Sequence, residues 1–130
     1  MQDRADLPKL LIVDDERLIA DTLATIFNAS GYEARPAYSA EQALEVIVGW
    51  DPAIAIIDVI MPTMNGIDLG ILLRAKRPSI QVMLISGQMV TGLPTGEARK
   101  KEHPFETLAK PIPVSQLLEM TAKLLPSRLN

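Results

Sequence analysis

Runs of apolar residues alternate with amphipathic segments along the whole chain. The first run, Lys9–Val13, is short and continuous, as in a strand that is buried on both faces of a sheet. The next segment ends at Ser30 and Gly31, a typical helix stop. Its predicted apolar face consists of Leu18, Ile19, Thr22, Leu23, Ile26 and Phe27. This succession predicts a β-strand followed by an α-helix, the repeating unit of a parallel sheet.

Four more strand and helix pairs are predicted in the same way. The further strands lie around residues 32–37, 51–58, 80–86 and 105–109. The second helix is expected to run from a capping box of Ser39 and Gln42 through Trp50. The third and fourth helices are expected near residues 67–76 and 97–102. The apolar face of the last helix consists of Val114, Leu117, Leu118, Thr121 and Leu124 or Leu125. Residues 87–104 contain three glycines and two prolines, so the fourth helix is expected to be short or irregular.

The pattern indicates an α/β fold in which helices cover a five-stranded parallel sheet. Pro36 interrupts the second strand, and because proline has no N–H to donate, that strand is expected at an edge. A length of 130 residues fits one domain with a single core. We therefore expect residues 1–130 to form one domain.

Composition and charge narrow the class of protein. The formal charge of −3 argues against direct nucleic-acid binding, because such domains usually carry a basic face. The chain has no cysteine, which excludes disulfides and thiolate metal sites. The longest apolar run covers only residues 53–57, far short of a membrane span. We expect a cytoplasmic protein without membrane contacts.

Polar residues stand where four of the predicted strands end. They are Asp14, Asp15, Asp58, Ser86 and Lys110. The carboxyl ends of parallel strands share one rim of the sheet, where ligands of such folds bind. Three carboxylates and one ammonium leave a formal charge of −2 there, which predicts a divalent cation, most simply Mg²⁺.

Each of these residues also fits an ordinary structural role. Asp14 or Asp15 alone matches a helix N-cap, Asp58 and Ser86 match turn residues, and Lys110 matches a solvated lysine. Their joint placement at the ends of four strands favours a functional site.

The combined motif resembles the receiver domain of bacterial two-component response regulators. The matching residues are Asp14 and Asp15, Asp58 with Met61, Pro62 and Gly66 behind it, Ser86 and Gly87, and Lys110 and Pro111. The resemblance covers roughly residues 8–125. It implies a doubly wound, flavodoxin-like (βα)5 fold with strand order 2-1-3-4-5.

The resemblance also implies roles for the site residues. Asp58 would accept a phosphoryl group from a phosphohistidine on a sensor histidine kinase or phosphotransfer protein. Asp15, Asp58 and the backbone carbonyl of Ile60 would hold Mg²⁺, with Asp14 acting largely through water. Lys110 and Ser86 would bind the phosphoryl oxygens, and the Lys110–Pro111 bond would be cis. The chain would then be a domain that signals by conformational change, with at most self-phosphorylation and self-dephosphorylation activity.

Two departures from the family pattern leave other functions open. Thr107 stands where receivers usually have a switch aromatic, with Phe105 two residues earlier, and the fourth helix is broken by Gly and Pro. These departures make a constitutive interaction module with impaired switching one alternative. A second alternative, independent of them, is a Mg²⁺-dependent phosphohydrolase that uses an aspartyl nucleophile on a similar sheet. The sequence does not identify the downstream partner, and we expect the protein to be a monomer or a weak dimer. Glu16 is interpreted as a helix-start carboxylate rather than a metal ligand.

Overall fold

A computed structural model of the chain describes residues 7–87 and 105–125. Its strands are β1 (Lys9–Val13), β2 (Glu33–Ala37), β3 (Ile54–Asp58), β4 (Gln81–Ser86) and β5 (Glu106–Ala109). They form one sheet of order β2-β1-β3-β4-β5, and every neighbouring pair is parallel. The predicted fold class and strand order are confirmed.

The helices of the described residues are α1 (Arg17–Ala29), α2 (Ala40–Val46), α3 (Gly66–Lys76) and α4 (Val114–Leu124). The helix predicted near residues 97–102 lies outside the described residues. Within residues 7–87 and 105–125, no helix is both long enough and apolar enough to cross a bilayer.

Helices cover both faces of the sheet, which explains the continuous apolar runs. On one face the strands pack against α2 and α3, in a cluster that includes Leu11, Ile57, Leu84, Ala43 and Leu69. On the other face they pack against α1 and α4, in a cluster that includes Ile12, Ile56, Met83, Phe27 and Leu117. All five residues of β3 are buried, since this strand lies at the centre of the sheet.

The edge position predicted for β2 is confirmed. β2 pairs with β1 alone among the described strands, and Pro36 lies in register with Ile12. An edge strand tolerates the missing proline N–H because its outer side has no ladder to complete. The pairing continues past the strand, where the Asp14 N–H donates to the Ala37 carbonyl at 3.1 Å.

Helix α2 begins as predicted but ends earlier. Ser39 Oγ accepts from the Gln42 N–H at 3.0 Å, and Gln42 Oε1 accepts from the Tyr38 N–H, one position before the N-cap. The prediction that the helix extends through Trp50 is wrong, because it ends at Val46 and a turn follows. Ile47 and Trp50 are nevertheless buried, so their apolar spacing reflects the packing of that turn.

Two predicted apolar faces also need correction. Leu18 is 80% exposed and Thr22 is exposed, while the buried stripe of α1 consists of Ala20, Ala24 and Phe27. Ala20, Ala24 and Phe27 recur at helical spacing and pack into the core on this face of the sheet, and Leu18 lies outside that stripe. Val114, the first residue of α4, is also exposed, whereas Leu117 and Thr121 are buried one and two turns later.

Candidate functional site

The carboxyl ends of the central strands bring three carboxylates together. Asp14 and Asp15 follow β1, and Asp58 ends β3. One carboxylate oxygen from each of these residues lies within 4.8 Å of the others. Asp14 and Asp58 are buried and Asp15 is exposed, so the cluster opens to solvent on one side.

Lys110 reaches the same cluster from the end of β5. Its Nζ lies 3.1 Å from Asp14 Oδ2 and 3.8 Å from Asp58 Oδ2. Its backbone N–H donates to the Ser86 carbonyl at 2.8 Å, which extends the pairing of β4 and β5 beyond the strands. The Lys110–Pro111 peptide bond is cis, which agrees with the family resemblance.

Backbone N–H groups orient the two buried carboxylates. Asp14 Oδ1 accepts from the Glu16 N–H at 2.9 Å, and Asp58 Oδ1 accepts from the Ile60 N–H at 3.3 Å. Asp14 is not the N-cap of α1, because Glu16 holds that position and no side chain caps the helix; the Asp14 carboxylate accepts instead from the N–H of the N-cap residue. Glu16 is the N-cap residue of α1 and is not part of the carboxylate cluster.

Gly66 allows α3 to begin directly behind Asp58. A Cβ at this position would overlap the Asp58 carbonyl oxygen and press on the Val59 Cα. The Gly66 N–H donates to the Val59 carbonyl at 2.7 Å, and the Val59 N–H donates to the Ile85 carbonyl at 2.9 Å. These contacts fix both ends of the loop between β3 and α3.

The pKa of Asp58 is raised from 3.8 to about 6; burial is the main cause, and the negative charges of Asp14 and Asp15 act in the same direction. The Lys110 ammonium and the Ile60 N–H act in the opposite direction by stabilising the carboxylate. The rise in the pKa caused by burial is larger than the fall caused by these two contacts. The carboxyl of Asp58 is thus mostly ionised at neutral pH but gains a proton in mild acid.

An open cleft of about 690 Å³ leads away from the carboxylates. Asp15, Asp58 and Lys110 line its polar end. Its apolar walls come from α1, with Ile19 and Leu23, and from the start of α4 and the segment before it, with Ile112 and Leu117. Ile19, Leu23 and Leu117 belong to the predicted apolar faces of their helices, and no pattern in the sequence indicates that they also form a cleft.

The remaining predicted site residues lie near this rim in different surroundings. Ile60 is half exposed and lines the cleft, and Ser86 ends β4 beside Ala109 of β5. Thr107 lies on β5 opposite Leu84 with an exposed side chain. Phe105 is buried under α3, where the Arg74 guanidinium carbon lies 5.1 Å from the centroid of its ring.

The donor set fits a divalent cation with hard oxygen ligands. Three clustered carboxylates supply oxygen atoms, and with Lys110 they leave a formal charge of −2. Carboxylate oxygens are the protein ligands that Mg²⁺ prefers. A cation here would also relieve the repulsion between the buried carboxylates.

Comparison with known proteins identifies the family. The family model of the response regulator receiver domain matches residues 10–122. Sporulation initiation phosphotransferase F of Bacillus subtilis is 27% identical over 122 residues, which cover 94% of this chain and 97% of that protein. The nitrogen assimilation regulatory protein NtrX of Azorhizobium caulinodans is 30% identical over 118 residues, which cover 89% of this chain.

A solved structure agrees with the sequence relatives. The CheY-like receiver domain protein of Methanospirillum hungatei has a TM-score of 0.79 and 26% identity, over 92% of this chain and 94% of that one. The chain spans only 26% of the length of NtrX and 50% of the response regulator MprA of Mycobacterium ulcerans. The family match itself covers the whole sheet beyond Lys9 and nearly all of α4. The chain therefore belongs to the response regulator receiver domain family.

Proposed function

We propose that Asp58 accepts a phosphoryl group from a phosphohistidine on a sensor histidine kinase or phosphotransfer protein, in a Mg²⁺-dependent reaction. The observation that carries this proposal is the position of Asp58, a buried carboxylate within reach of Asp14, Asp15 and the Lys110 ammonium. Among the described residues, this is the cluster of carboxylates able to hold a metal ion.

The residues around Asp58 suit transfer to a carboxylate. Asp58 Oδ attacks the phosphorus atom, the phosphorus–nitrogen bond breaks, and the imidazole of the donor leaves. With its pKa raised to about 6, the Asp58 carboxyl is mostly ionised at neutral pH, as a nucleophile requires. The Lys110 ammonium is already 3.8 Å from Asp58 Oδ2 and can neutralise an oxygen of the transferred group. Ser86 supplies a hydroxyl for another oxygen.

The metal ligands in this proposal are Asp15, Asp58 and the backbone carbonyl of Ile60, with Asp14 acting through water. When bound, Mg²⁺ neutralises negative charge on the phosphoryl oxygens. Asp14 has a second task, because its ion pair with Lys110 holds the ammonium beside Asp58. The protein thus contributes alignment and electrostatics, while the partner contributes the phosphoryl group.

The family match favours this function over the two alternatives, a phosphohydrolase and a constitutive interaction module. The relative from Bacillus subtilis is named a phosphotransferase and matches along nearly its full length, which supports a role in phosphoryl transfer. We further propose that the chain acts in the cytoplasm and that its own catalytic activity is at most self-phosphorylation and self-dephosphorylation.

Intact-mass analysis after incubation with phosphoramidate and Mg²⁺ tests the proposal. Phosphoramidate is a suitable donor because its phosphorus–nitrogen bond resembles that of phosphohistidine. The wild type should gain a single phosphoryl group, which EDTA prevents and which Asp58→Asn does not gain. Asp51→Asn is the matched control, since Asp51 is an exposed carboxylate that precedes β3 at the opposite end of the strand.

Two results would count against the proposal. Phosphorylation of Asp58→Asn at the wild-type level would remove Asp58 as the acceptor. Rapid turnover of p-nitrophenyl phosphate without a lasting adduct would favour the phosphohydrolase instead.

A further inference from the structure

The loop between β3 and α3 contains a strained turn at Thr63. Thr63 has a positive φ of 68°, and the Met64 N–H donates to the Pro62 carbonyl at 2.8 Å. This is a γ-turn with a left-handed central residue, a rare conformation. A β-branched residue is especially disfavoured there, so surrounding contacts must hold Thr63 in place.

A side chain from α2 makes such a contact. Thr63 Oγ1 donates to Glu41 Oε2 at 3.0 Å, although 22 positions separate the two residues. Glu41 lies in the first turn of α2, a helix whose start is fixed by the Ser39 cap. The tip of the loop is therefore joined to a neighbouring helix whose position the fold determines.

The same loop carries Ile60, whose backbone carbonyl is a ligand in the proposed metal site. The loop is fixed at both ends by the backbone bonds of Val59 and Gly66, so the remaining freedom lies between these residues. If Thr63 relaxed to a negative φ, the direction of the chain through Pro62 and Met61 would change, and the Ile60 carbonyl would turn with it. The Ile60 N–H, which donates to Asp58 Oδ1, would move as well.

We propose that Glu41 and Thr63 are positioning residues for the metal site. Their hydrogen bond holds the turn at Thr63 and thereby fixes the position of the loop that carries Ile60, whose carbonyl would hold the cation together with Asp58. The inference rests on the proposed function, because it assumes that Mg²⁺ binds to Asp15, Asp58 and Ile60. It adds a contact from α2, which contributes no ligand of its own.

Paired variants distinguish the effect of the hydrogen bond on Mg²⁺ binding from the effects of side-chain charge and shape. Thr63→Val and Glu41→Leu each remove the bond, whereas Thr63→Ser keeps the donor and Glu41→Gln keeps an acceptor without the charge. Glu45→Gln is the charge control, since Glu45 is exposed on the same helix. Each variant is titrated with MgCl2 by calorimetry, and its urea unfolding is measured in EDTA to show that it is folded.

The bond between Thr63 and Glu41 is exposed, and deleting one such bond typically changes an equilibrium by about fivefold, so the bond-deleting variants should bind Mg²⁺ about fivefold more weakly. Thr63→Ser, Glu41→Gln and Glu45→Gln should stay within about twofold of the wild type. The double variant Thr63→Val with Glu41→Leu should be no weaker than either single variant, because both remove the same bond.

Unchanged Mg²⁺ affinity in Thr63→Val and Glu41→Leu would overturn the inference, even if both variants unfold more easily, because the contact would then be only structural. An equal loss in Glu41→Gln and Glu45→Gln would also overturn it, since the effect would then be one of charge. A folded wild type that binds no Mg²⁺ would overturn the metal site of the proposed function and the inference with it. Weakened Mg²⁺ binding that is confined to the bond-deleting variants would support both the metal site and the positioning role of Glu41 and Thr63.

Discussion

Lys110 and Asp14 form an ion pair of 3.1 Å at the end of the sheet, although 96 positions separate them in the chain. The pair exists because β1 and β5 point the same way and end on the same rim, with β3 and β4 between them. It holds the ammonium 3.8 Å from Asp58, where a positive charge both stabilises the carboxylate and can meet an incoming phosphoryl group. The pH dependence of the free energy of unfolding should report how the surroundings of Asp58 affect the ionisation of its carboxyl.

In the absence of divalent cations, ionisation of Asp58 should destabilise the folded protein. Its pKa is about 6 in the folded state against an ordinary 3.8, so the folded state binds this proton more tightly. The resulting stabilisation is present below pH 4 and is lost as the pH rises through 6. The loss is at most about 3 kcal/mol.

Urea unfolding of Asp58→Asn and the wild type in EDTA, from pH 4 to 8, measures this effect. The variant should match the wild type near pH 4 and exceed it by about 1–3 kcal/mol above pH 7. A stability difference that does not change with pH would mean that the carboxyl of Asp58 has no raised pKa.

Gly66→Ala should damage both stability and the site. The added methyl group overlaps the Asp58 carbonyl oxygen, so the backbone behind the carboxylate must shift, at a cost of at least about 2 kcal/mol. Gly49→Ala is the matched control, because no described atom lies within 4 Å of a Cβ there. Urea unfolding should show a large loss for Gly66→Ala and a change within about 0.5 kcal/mol for Gly49→Ala. Equal effects would show that close packing behind Asp58 is unimportant.

Thr121→Val should stabilise the protein. Thr121 is fully buried in α4, and its hydroxyl has no hydrogen-bond partner among residues 7–87 and 105–125. Valine has nearly the same shape without the polar group, so the gain should be about 1–2 kcal/mol. Thr25→Val is the comparison, since the Thr25 hydroxyl is exposed and donates to the Asp21 carbonyl. A loss of stability in Thr121→Val would show that the buried hydroxyl has a partner in solution.

Much of the fold follows from local features of the sequence. Continuous apolar runs indicate strands buried on both faces, and Pro36 places β2 at an edge without any knowledge of its neighbours. The positions of Asp14, Asp58 and Lys110 follow for the same reason, because each stands at the end of a strand and parallel strands end on one rim.

Features that depend on contacts between distant surface residues were not predictable. The bond between Glu41 and Thr63 joins two polar side chains that no periodic pattern connects. The positive φ of Thr63 was equally unexpected, because threonine rarely adopts it. The early end of α2 has no signal in the sequence, because Ile47 and Trp50 keep an apolar spacing after the helix stops.

The central claim, that Asp58 is the phosphoryl acceptor, is tested most directly by locating the phosphoryl group. The wild type is treated with acetyl phosphate and Mg²⁺, the acyl phosphate is trapped by borohydride reduction, and the modified residue is found by peptide mass spectrometry. The account predicts a single modified residue, Asp58, with Asp14 and Asp15 unmodified. Modification of Asp14, Asp15 or another residue in place of Asp58 would contradict it.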